Sequence, residues 1–360
     1  MNLFAGIDVS TQSCKLVIID PNLAQVCHID TVVYDNDLQA YKTLNGARRD
    51  AKKGVSESDP EMWIEAIKIL FKRLKDSGID QEKIRSMSVS GQQHGLVALD
   101  KDGSLASPYA KLWNDFSTQE ECDILTQAVS GVGKMIAEVG NSQRTGYTAS
   151  KILHLKRNDP ESFEQTTTLF LVHNYINWFL SGGVRVMEPG DTSGMALWDP
   201  VTKNWSEPLL RSIDPTLKMK LPAVHPSDQS IGTISADLAR EFGLNPRCTI
   251  DAGSGDNMYG AIGTGNIELG IVTISLGTSG TVYSFMTKPY IDPTGEVAAF
   301  CDSTGNYLPL LCVSNVANGY NKLLDLFGLS HEAFNKIIMD SPLSAGKVVV
   351  PWFEGERTPD

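Results

Sequence analysis

Two strand–turn–strand units, far apart in the chain, constrain the fold more than any other feature of the sequence. In residues 3–19, two short apolar runs flank the polar turn Asp8–Ser13, and in residues 271–285 two more flank Gly277–Gly280. Apolar, β-branched runs around a small polar turn are typical of β-hairpins. Two copies of the same device at this separation predict two similar domains that face each other.

Helical and strand patterns alternate between the two units. Asp59 and Pro60 provide a cap and a first residue for a helix, and apolar residues then recur at helical spacing. Residues 84–89 predict a strand, with Val97–Asp100 as its returning partner. Residues 200–227, rich in proline and polar residues, predict a surface connection. The mixture predicts an α/β protein.

The chain length indicates two domains. A chain of 360 residues, with 41% apolar and 21% charged residues, is long for one core and has no composition typical of disorder. We expect a first domain at 1–248 and a second at 249–360. The sequence stops after a turn-like segment, so we expect the second domain to be incomplete.

Charge, cysteines and hydropathy exclude several classes of protein. A net charge of −12 makes nucleic acid an unlikely partner, because it repels phosphate backbones. The six cysteines are scattered without a C-x-x-C pair, which argues against a zinc site or a disulfide framework and is typical of the cytoplasm. No apolar run is long enough to cross a membrane, and Asp8 interrupts the N-terminal apolar stretch, which argues against a secretory signal.

Two aspartates follow predicted strands and precede small residues. Asp8 lies in GIDVSTQS, and Asp256 lies in the glycine-rich segment 251–265. A carboxylate at a strand end can hold Mg²⁺ beside phosphates, and a second can accept a proton from a sugar hydroxyl. Aspartate also favours ordinary turns, which is the simpler explanation for either residue taken alone.

The two hairpin turns are candidate phosphate-binding loops. Small residues expose backbone N–H groups, and hydroxyl groups add donors, so such loops can cradle phosphate oxygens. One such loop alone would be a plain β-turn, but two in similar domains favour phosphate binding. The loop residues are Thr11, Gln12 and Ser13 in the first turn and Gly277, Thr278 and Ser279 in the second.

Two further segments suit contact with a polyol. Gln93 and His94 follow the strand 84–89 and bring neutral amide and imidazole groups to a loop. Trp113, Asn114 and Asp115 combine an aromatic face with an amide and a carboxylate, a composition typical of sugar contacts. A buried tryptophan with capping polar neighbours explains the second segment equally well.

Other nucleotide and catalytic motifs are absent from the sequence. A dinucleotide fingerprint starting at Gly253 would need its third glycine at Met258, and no G-x-x-x-x-G-K-[ST] segment occurs. No G-x-S-x-G elbow occurs either, which argues against a hydrolase of that type.

An ordered set of short motifs resembles the FGGY carbohydrate kinases, within the wider group that includes actin and hexokinase, and among them the members that act on xylulose. The motifs run from residue 3 to the end of the chain. They are GIDVSTQS, SGQQHG, KLWND, GYTASK, EPGDTSG, GSGDN, ISLGTSG and GERTP. The resemblance implies two ribonuclease-H-like domains around a cleft and the ATP-dependent phosphorylation of a ketose, with D-xylulose as the expected substrate.

The same resemblance implies a role for each candidate residue. Asp8 would hold Mg²⁺, and Asp256 would be the general base for the terminal hydroxyl of the sugar. One loop would face the γ-phosphate of ATP and the other loop its remaining phosphates. The ketose would be contacted by Gln93, His94, Trp113, Asn114 and Asp115. Glycerol is disfavoured, since SGQQHG stands where a glycerol kinase would show N-Q-R-E-T.

Two departures keep other functions open. His154 stands where the family usually has tryptophan, which we expect to affect packing more than chemistry. The glycine-rich segment that holds adenosine in the family is also missing. A non-catalytic sugar-binding remnant is therefore a second hypothesis, and an actin-like assembly ATPase is a third. The sequence leaves a homodimer open.

Overall fold

The strands are the framework of the fold. The structure is a computed structural model that describes residues 2–277, 279–341, 350, 352 and 356–358. In this part of the chain the strands are β1 (Leu3–Val9), β2 (Ser13–Asp20), β3 (Gln25–Val33), β4 (Thr43–Leu44), β5 (Ala47–Arg48), β6 (Glu57–Ser58), β7 (Ile84–Gly91), β8 (Val97–Leu99), β9 (Ala110–Lys111), β10 (Thr168–Phe170), β11 (Val186–Met187), β12 (Trp198–Asp199), β13 (Asn204–Trp205), β14 (Ala223–Val224), β15 (Ser230–Thr233), β16 (Thr249–Asp251), β17 (Ser254–Gly255), β18 (Val272–Leu276), β19 (Gly280–Ser284), β20 (Ala298–Cys301) and β21 (Tyr307–Val313).

Helices occupy much of the chain between these strands. Over the same described residues they are α1 (Tyr34–Asp37), α2 (Pro60–Asp76), α3 (Gln119–Ala128), α4 (Val132–Val139), α5 (Thr148–Asn158), α6 (Pro160–Gln165), α7 (Val172–Ser181), α8 (Pro189–Thr192), α9 (Glu207–Ile213), α10 (Ala236–Phe242), α11 (Asp256–Gly263), α12 (Ala317–Phe327) and α13 (His331–Asp340). None of the described helices is both long and apolar enough to cross a bilayer.

Local sequence signals explain several helix ends. Asp59 caps α2, since its Oδ1 accepts the Glu61 N–H at 2.9 Å, and Pro60 is the first helical residue. Gly243 ends α10 and Gly328 ends α12, both with a left-handed backbone that glycine adopts without steric cost. The start of α2 confirms the prediction from the sequence.

The larger sheet brings the ends of several strands to one edge. Its order is β15-β16-β7-β1-β2-β3, with β17 also paired to β7. β1 and β2 form the predicted antiparallel hairpin, whereas β7 runs parallel to β1, β16 and β17. Asp8 on β1 and Ser254 on β17 both pair with Ser90 on β7. The carboxyl ends of these strands therefore meet, which is where open α/β sheets bind ligands.

One apolar core lies against this sheet. Inward residues of β1, β2 and β7 pack with the apolar face of α2, including Trp63 and Phe71, and with α7 and α10. Trp63 and Phe71 are fully buried, and burial of each such side chain stabilises the fold by roughly 1.5–3 kcal/mol. This core holds the strand ends rigidly in place.

A second core joins the middle of the chain to a second sheet of order β18-β19-β21-β20. It combines residues of α4, α5 and α9 with Met258 on α11 and with Phe300 and Leu310 of the second sheet. The second predicted hairpin is confirmed, since β18 and β19 pair antiparallel. Because one core includes both regions, the second hairpin is held close to the carboxyl ends of β7 and β17.

Two predictions from the sequence are wrong. The segment after β7 does not return along it, because β8 pairs antiparallel with β10, far along the chain. Residues 200–227 are not a simple surface connection, because they contain α9, whose Leu209 is fully buried. Pro208 is the second residue of α9, and proline is favourable in the first turn of a helix.

The first sheet extends past residue 248, where the sequence analysis divided the chain. β16 and β17 both follow that point and both pair with β7. The division into residues 1–248 and 249–360 stays a prediction.

Candidate active site

A cavity of about 440 Å³ opens at the carboxyl ends of β7 and β17. Its walls come from the loop after β7, the start of α11, the β18–β19 hairpin and β20. The walls combine polar and charged side chains with aromatic ones. Among the lining residues are Gln93, His94, Trp113, Phe116, Arg144, Tyr147, Asp256, Asn257, Ser279, Thr281, Phe300 and Arg357.

Asp256 is the carboxylate at the start of α11, and Glu296 and Glu356 also line the cavity. Asp256 is half-buried at the first residue of α11, and its Oδ1 accepts hydrogen bonds from Asn257 N at 2.8 Å and Asn257 Nδ2 at 3.0 Å. Burial, followed by the nearby charges of Asp8 and Asp191, raises the pKa of Asp256 to about 7. A carboxyl group with such a pKa can exchange a proton near neutrality, as a general base must.

Gln93 is tied to Asp256 through Asn257. Asn257 Nδ2 donates to Gln93 Oε1 at 2.7 Å as well as to Asp256, and Thr281 Oγ1 donates to Asn257 Oδ1 at 3.1 Å. Gln93 Nε2 is buried and has no hydrogen-bond partner within the described residues. An unpartnered amide N–H₂ on a cavity wall can donate to a hydroxyl or carbonyl oxygen of a ligand.

His94 is held in an unusual backbone conformation. Its φ of 63° lies in the left-handed region, which is uncommon for residues other than glycine. Its N–H donates to Asp191 Oδ1 at 3.1 Å, while its carbonyl accepts from Lys151 Nζ at 2.6 Å and from Thr148 Oγ1 at 3.2 Å. The ring contacts Tyr147 edge-on, with centroids 5.0 Å apart. Burial lowers the pKa of His94, so its ring is neutral near pH 7.

Lys151 supports this loop from below. It is fully buried, and burial lowers the pKa of its ammonium group to about 7. Its Nζ donates a hydrogen bond to the His94 carbonyl and so helps to hold His94 in its left-handed backbone conformation.

Asp8 lies beside the cavity rather than on its wall. Ser90 Oγ donates to Asp8 Oδ1 at 2.9 Å, across the neighbouring strand. Burial raises the pKa of Asp8, and Asp8 in turn raises the pKa of Asp256. Two carboxylates that oppose each other's ionisation are stabilised by a cation between or beside them.

The first hairpin turn is joined by hydrogen bonds to the two segments that were predicted to contact a polyol. Thr11 Oγ1 donates to Gln92 Oε1 at 3.1 Å and accepts from Trp113 Nε1 at 2.9 Å. Ser13 closes the turn, since its carbonyl accepts the Ser10 N–H at 3.0 Å, whereas the side chain of Gln12 is exposed. The structure thus brings Thr11 and Trp113 together, while a phosphate contact for the first and a sugar contact for the second stay predictions.

The structure describes two of the three predicted residues of the second hairpin turn, Gly277 and Ser279. Ser279 lines the cavity, and the Gly277 N–H donates to the Ser279 carbonyl at 3.0 Å. Thr278, the third predicted residue of this loop, lies outside the described residues.

The predicted segment 113–115 is divided by the structure, because one of its residues lines the cavity and the other two do not. Trp113 lines the cavity, whereas Asn114 Oδ1 accepts from Ser56 Oγ at 2.7 Å. Asp115 is fully buried and accepts from Ser56 N at 2.8 Å and from Ser117 Oγ at 2.6 Å. Asn114 and Asp115 therefore brace the loop that carries Trp113, and a sugar contact for either one stays a prediction.

Several residues around the cavity have no role predicted from the sequence. Asn257, Asp191 and Lys151 lie within GSGDN, EPGDTSG and GYTASK, motifs that carried the family resemblance without a role for these residues. Arg144 and Arg357 also have no predicted role, although Arg144 Nη1 donates to the Arg357 carbonyl at 2.7 Å on the cavity wall. These residues are identified by their proximity to the cavity in the folded chain, which cannot be deduced from the sequence.

Residues 3–263 match the family model described as "FGGY family of carbohydrate kinases, N-terminal domain". This chain belongs to the FGGY family of carbohydrate kinases. The match covers most of the chain, and it confirms both the resemblance stated above and the assignment as a carbohydrate kinase.

Relatives and solved structures agree with this membership. The chain is 36% identical to the xylulose kinase of Haemophilus influenzae, over 99% of this chain and 71% of that protein. It is 31% identical to the xylulose kinase of Streptomyces rubiginosus, over 99% of this chain and 68% of that protein. A crystal structure of ligand-bound xylulose kinase from Lactobacillus acidophilus has a TM-score of 0.88 at 21% identity, over 100% of this chain and 70% of that one. The last likeness confirms the actin/hexokinase-type fold.

Proposed function

We propose that this FGGY kinase transfers the γ-phosphoryl group of ATP to the terminal hydroxyl of D-xylulose, with Asp256 as the general base. The observation that carries the proposal is the shared cavity, where Asp256, Gln93 and His94 face the β18–β19 hairpin. The two relatives described above are xylulose kinases, which supports the choice of sugar.

The proposed reaction is one displacement at phosphorus. The terminal hydroxyl oxygen of the ketose forms a bond to the γ-phosphorus, and the bond from that phosphorus to the bridging oxygen of ADP breaks. The hydroxyl proton passes to Asp256. Phosphoryl transfer depends on positioning and charge stabilisation more than on covalent help, so a carboxylate that accepts the proton late is sufficient.

The ketose would be held by the polar floor of the cavity. The unpartnered Gln93 Nε2 can donate to a sugar oxygen, His94 can exchange a hydrogen bond with a hydroxyl, and Trp113 offers an aromatic face. Asn114 and Asp115 would act by holding Trp113 in place. These side chains are neutral where the sugar binds, which suits an uncharged polyol.

The two hairpin turns would hold the phosphates of ATP. Thr11, Gln12 and Ser13 would face the γ-phosphate, and Gly277, Thr278 and Ser279 would face the others. The bond from Trp113 to Thr11 supports this arrangement, because it links the sugar side of the cavity to the first turn.

Asp8 fits the expected magnesium site. Mg²⁺ in kinases is held by one or two carboxylates together with phosphate oxygens and water. No group of three or more metal-ligating side chains occurs in the described part of the chain, but the one side-chain hydrogen bond that Asp8 makes there is to Oδ1, so Oδ2 would be available to a cation. When bound, Mg²⁺ would neutralise charge on the phosphates.

The test is an ADP-release assay with a panel of sugars. We expect turnover with D-xylulose to exceed turnover with ribulose, glycerol and gluconate. Asp256→Asn should lower kcat at least ~100-fold, because a positioned general base contributes roughly 10²–10⁴-fold. Asp251→Asn is the matched control. Asp251 is half-buried on β16, and its Oδ2 accepts a hydrogen bond from Ser86 Oγ, but it does not line the cavity.

Calorimetry separates the remaining hypotheses. Binding of D-xylulose with no detectable binding of ATP would support a sugar-binding remnant and contradict the proposal. ATP hydrolysis that no sugar stimulates would favour an assembly ATPase. Equal kcat in Asp256→Asn and the native chain would refute the assigned base alone.

A further inference from the structure

Three buried polar atoms near the cavity face one another without a hydrogen-bond partner in the described structure. They are His94 Nδ1, His173 Nδ1 and Asp191 Oδ2. Asp191 lies between the two rings, with His94 Nδ1 at 3.4 Å from Oδ1 and His173 Nδ1 at 3.6 Å from Oδ2. All three side chains are more than nine-tenths buried. A shift of a few tenths of an ångström would satisfy all three atoms.

The proton on His173 is determined by its neighbour Asn174. The Leu171 N–H donates to Asn174 Oδ1 at 3.3 Å, so the Asn174 N–H₂ group is the part that meets His173 Nε2, at 2.8 Å. A donor at Nε2 requires a lone pair there, which leaves the proton of a neutral ring on Nδ1, toward Asp191. Glu188 Oε1 also lies 3.5 Å from Nε2.

Asp191 Oδ2 therefore faces the N–H at His173 Nδ1, 3.6 Å away, and Asp191 Oδ1 accepts a hydrogen bond from the His94 backbone N–H at 3.1 Å. Although burial opposes its ionisation, contact with His173 and His94 holds the pKa of Asp191 below its ordinary value. An ionised carboxylate facing His94 Nδ1 favours a proton on that nitrogen, as a carboxylate does for other functional histidines.

We propose that Asp191 is a positioning residue that keeps the His94 proton on Nδ1, so that Nε2 presents a lone pair to the cavity and accepts a hydrogen bond from a sugar hydroxyl. Of the two ring nitrogens, Nδ1 is the one buried without a partner, and the residue lines the cavity. The backbone of His94 is held from the other side by Lys151 and Thr148. The tautomer is a property of the chain itself, and only the sugar contact rests on the proposed function.

This arrangement has a consequence for specificity. A lone pair at Nε2 binds a group that donates, such as a hydroxyl, and disfavours a carbonyl or carboxylate oxygen at the same place. The charge of Asp191 adds to that preference, because it repels a sugar acid. The site would thus distinguish a ketose hydroxyl from a carboxylate without any direct contact from Asp191.

The experiment is nitrogen NMR on the full chain with ¹⁵N-labelled histidine, without substrate. The chain has six histidines, so the spectrum is simple, and His94→Gln assigns the signal of interest. Two-bond ring correlations at pH 7.5 distinguish the two neutral tautomers. We expect His94 to be neutral with its proton on Nδ1. A proton on Nε2 in the native chain would overturn the proposal, and this result needs no other variant.

Kinetics supply the second readout. Asp191→Asn keeps the shape and removes the charge, so we expect KM for the ketose to rise about tenfold with kcat changed less than about threefold. Thr192→Val is the matched control, since Thr192 is the next residue, fully buried, and its hydroxyl has no partner within the described residues. An unchanged KM in folded Asp191→Asn would also overturn the proposal. If the proton is on Nδ1 but the chain turns over no ketose, the proposed function is contradicted and the role of Asp191 is unaffected.

Discussion

Asp256→Asn should make the protein more stable while it removes activity. The pKa of Asp256 is raised from 3.8 to about 7, chiefly by burial, so the ionised carboxylate is disfavoured in the folded chain. A shift of this size corresponds to about 4 kcal/mol once the group is fully ionised. Because Asp256 is half-buried and keeps part of its hydration, we expect a gain of roughly 2–4 kcal/mol at pH 8 from a neutral amide of the same shape.

The gain should depend on pH in a defined direction. A carboxyl group whose pKa is higher in the folded chain binds its proton more tightly there, so folding pays no penalty below pH 4. The penalty grows as pH rises from about 4 to about 7 and is constant above that, because the group is then ionised in both states. The advantage of Asp256→Asn should therefore be largest at pH 8 and shrink to roughly 1.5 kcal/mol or less at pH 5.

Thermal unfolding measures this effect directly. An unfolding entropy of about 2.1 cal/mol/K per residue over 360 residues converts 2–4 kcal/mol into a rise in Tm of roughly 3–5 °C at pH 8. The scans are run without nucleotide or magnesium, since bound cations would stabilise the native carboxylate. Asp292→Asn is a matched control of opposite sign. The pKa of Asp292 is lowered by hydrogen bonds from backbone N–H groups, of which the Val297 N–H has the largest effect. The ionised carboxylate therefore stabilises the fold, and Asp292→Asn should unfold at a lower temperature than the native chain.

The outcome can contradict the reasoning in two ways. A lower or equal Tm for Asp256→Asn at pH 8 would mean that the carboxylate is not held in an unfavourable environment. A gain that is the same at pH 8 and pH 5 would mean that the amide stabilises the fold for a reason other than charge.

Three glycines give further predictions. Gly46→Ala should destabilise the fold by roughly 3 kcal/mol or more and raise KM for ATP, because a Cβ there, at a φ of 78°, would lie 1.8 Å from the Thr11 carbonyl oxygen. Gly54→Ala, with a φ of 85° and no atom within 4 Å of the Cβ, should cost only roughly 1–2 kcal/mol, and equal losses in urea unfolding of the two variants would contradict this reasoning. Gly194→Ala would place a Cβ 2.3 Å from His94 Cε1, so KM for the ketose should rise roughly 10–100-fold with ATP binding unchanged, and an unaltered KM would show that the ring is not held there.

Local features of this protein could be read from the sequence because their causes are local. The turn between β1 and β2, the Asp59–Pro60 start of α2 and the glycine ends of α10 and α12 each depend on a few adjacent residues. Their backbone preferences and short-range hydrogen bonds act before any tertiary contact forms.

Tertiary structure alone decided the partners that lie far apart in the chain. The pairing of β8 with β10 and the burial of Leu209 on α9 depend on which surfaces meet, and proline-rich composition does not report that. The same holds for Asp191, whose charge is directed at His94 and His173 from other elements, 97 and 18 residues away. Hydrogen bonds and burial energies act over a few ångströms in space, so a buried anion can set the chemistry of a cavity while its place in the sequence shows an ordinary turn residue.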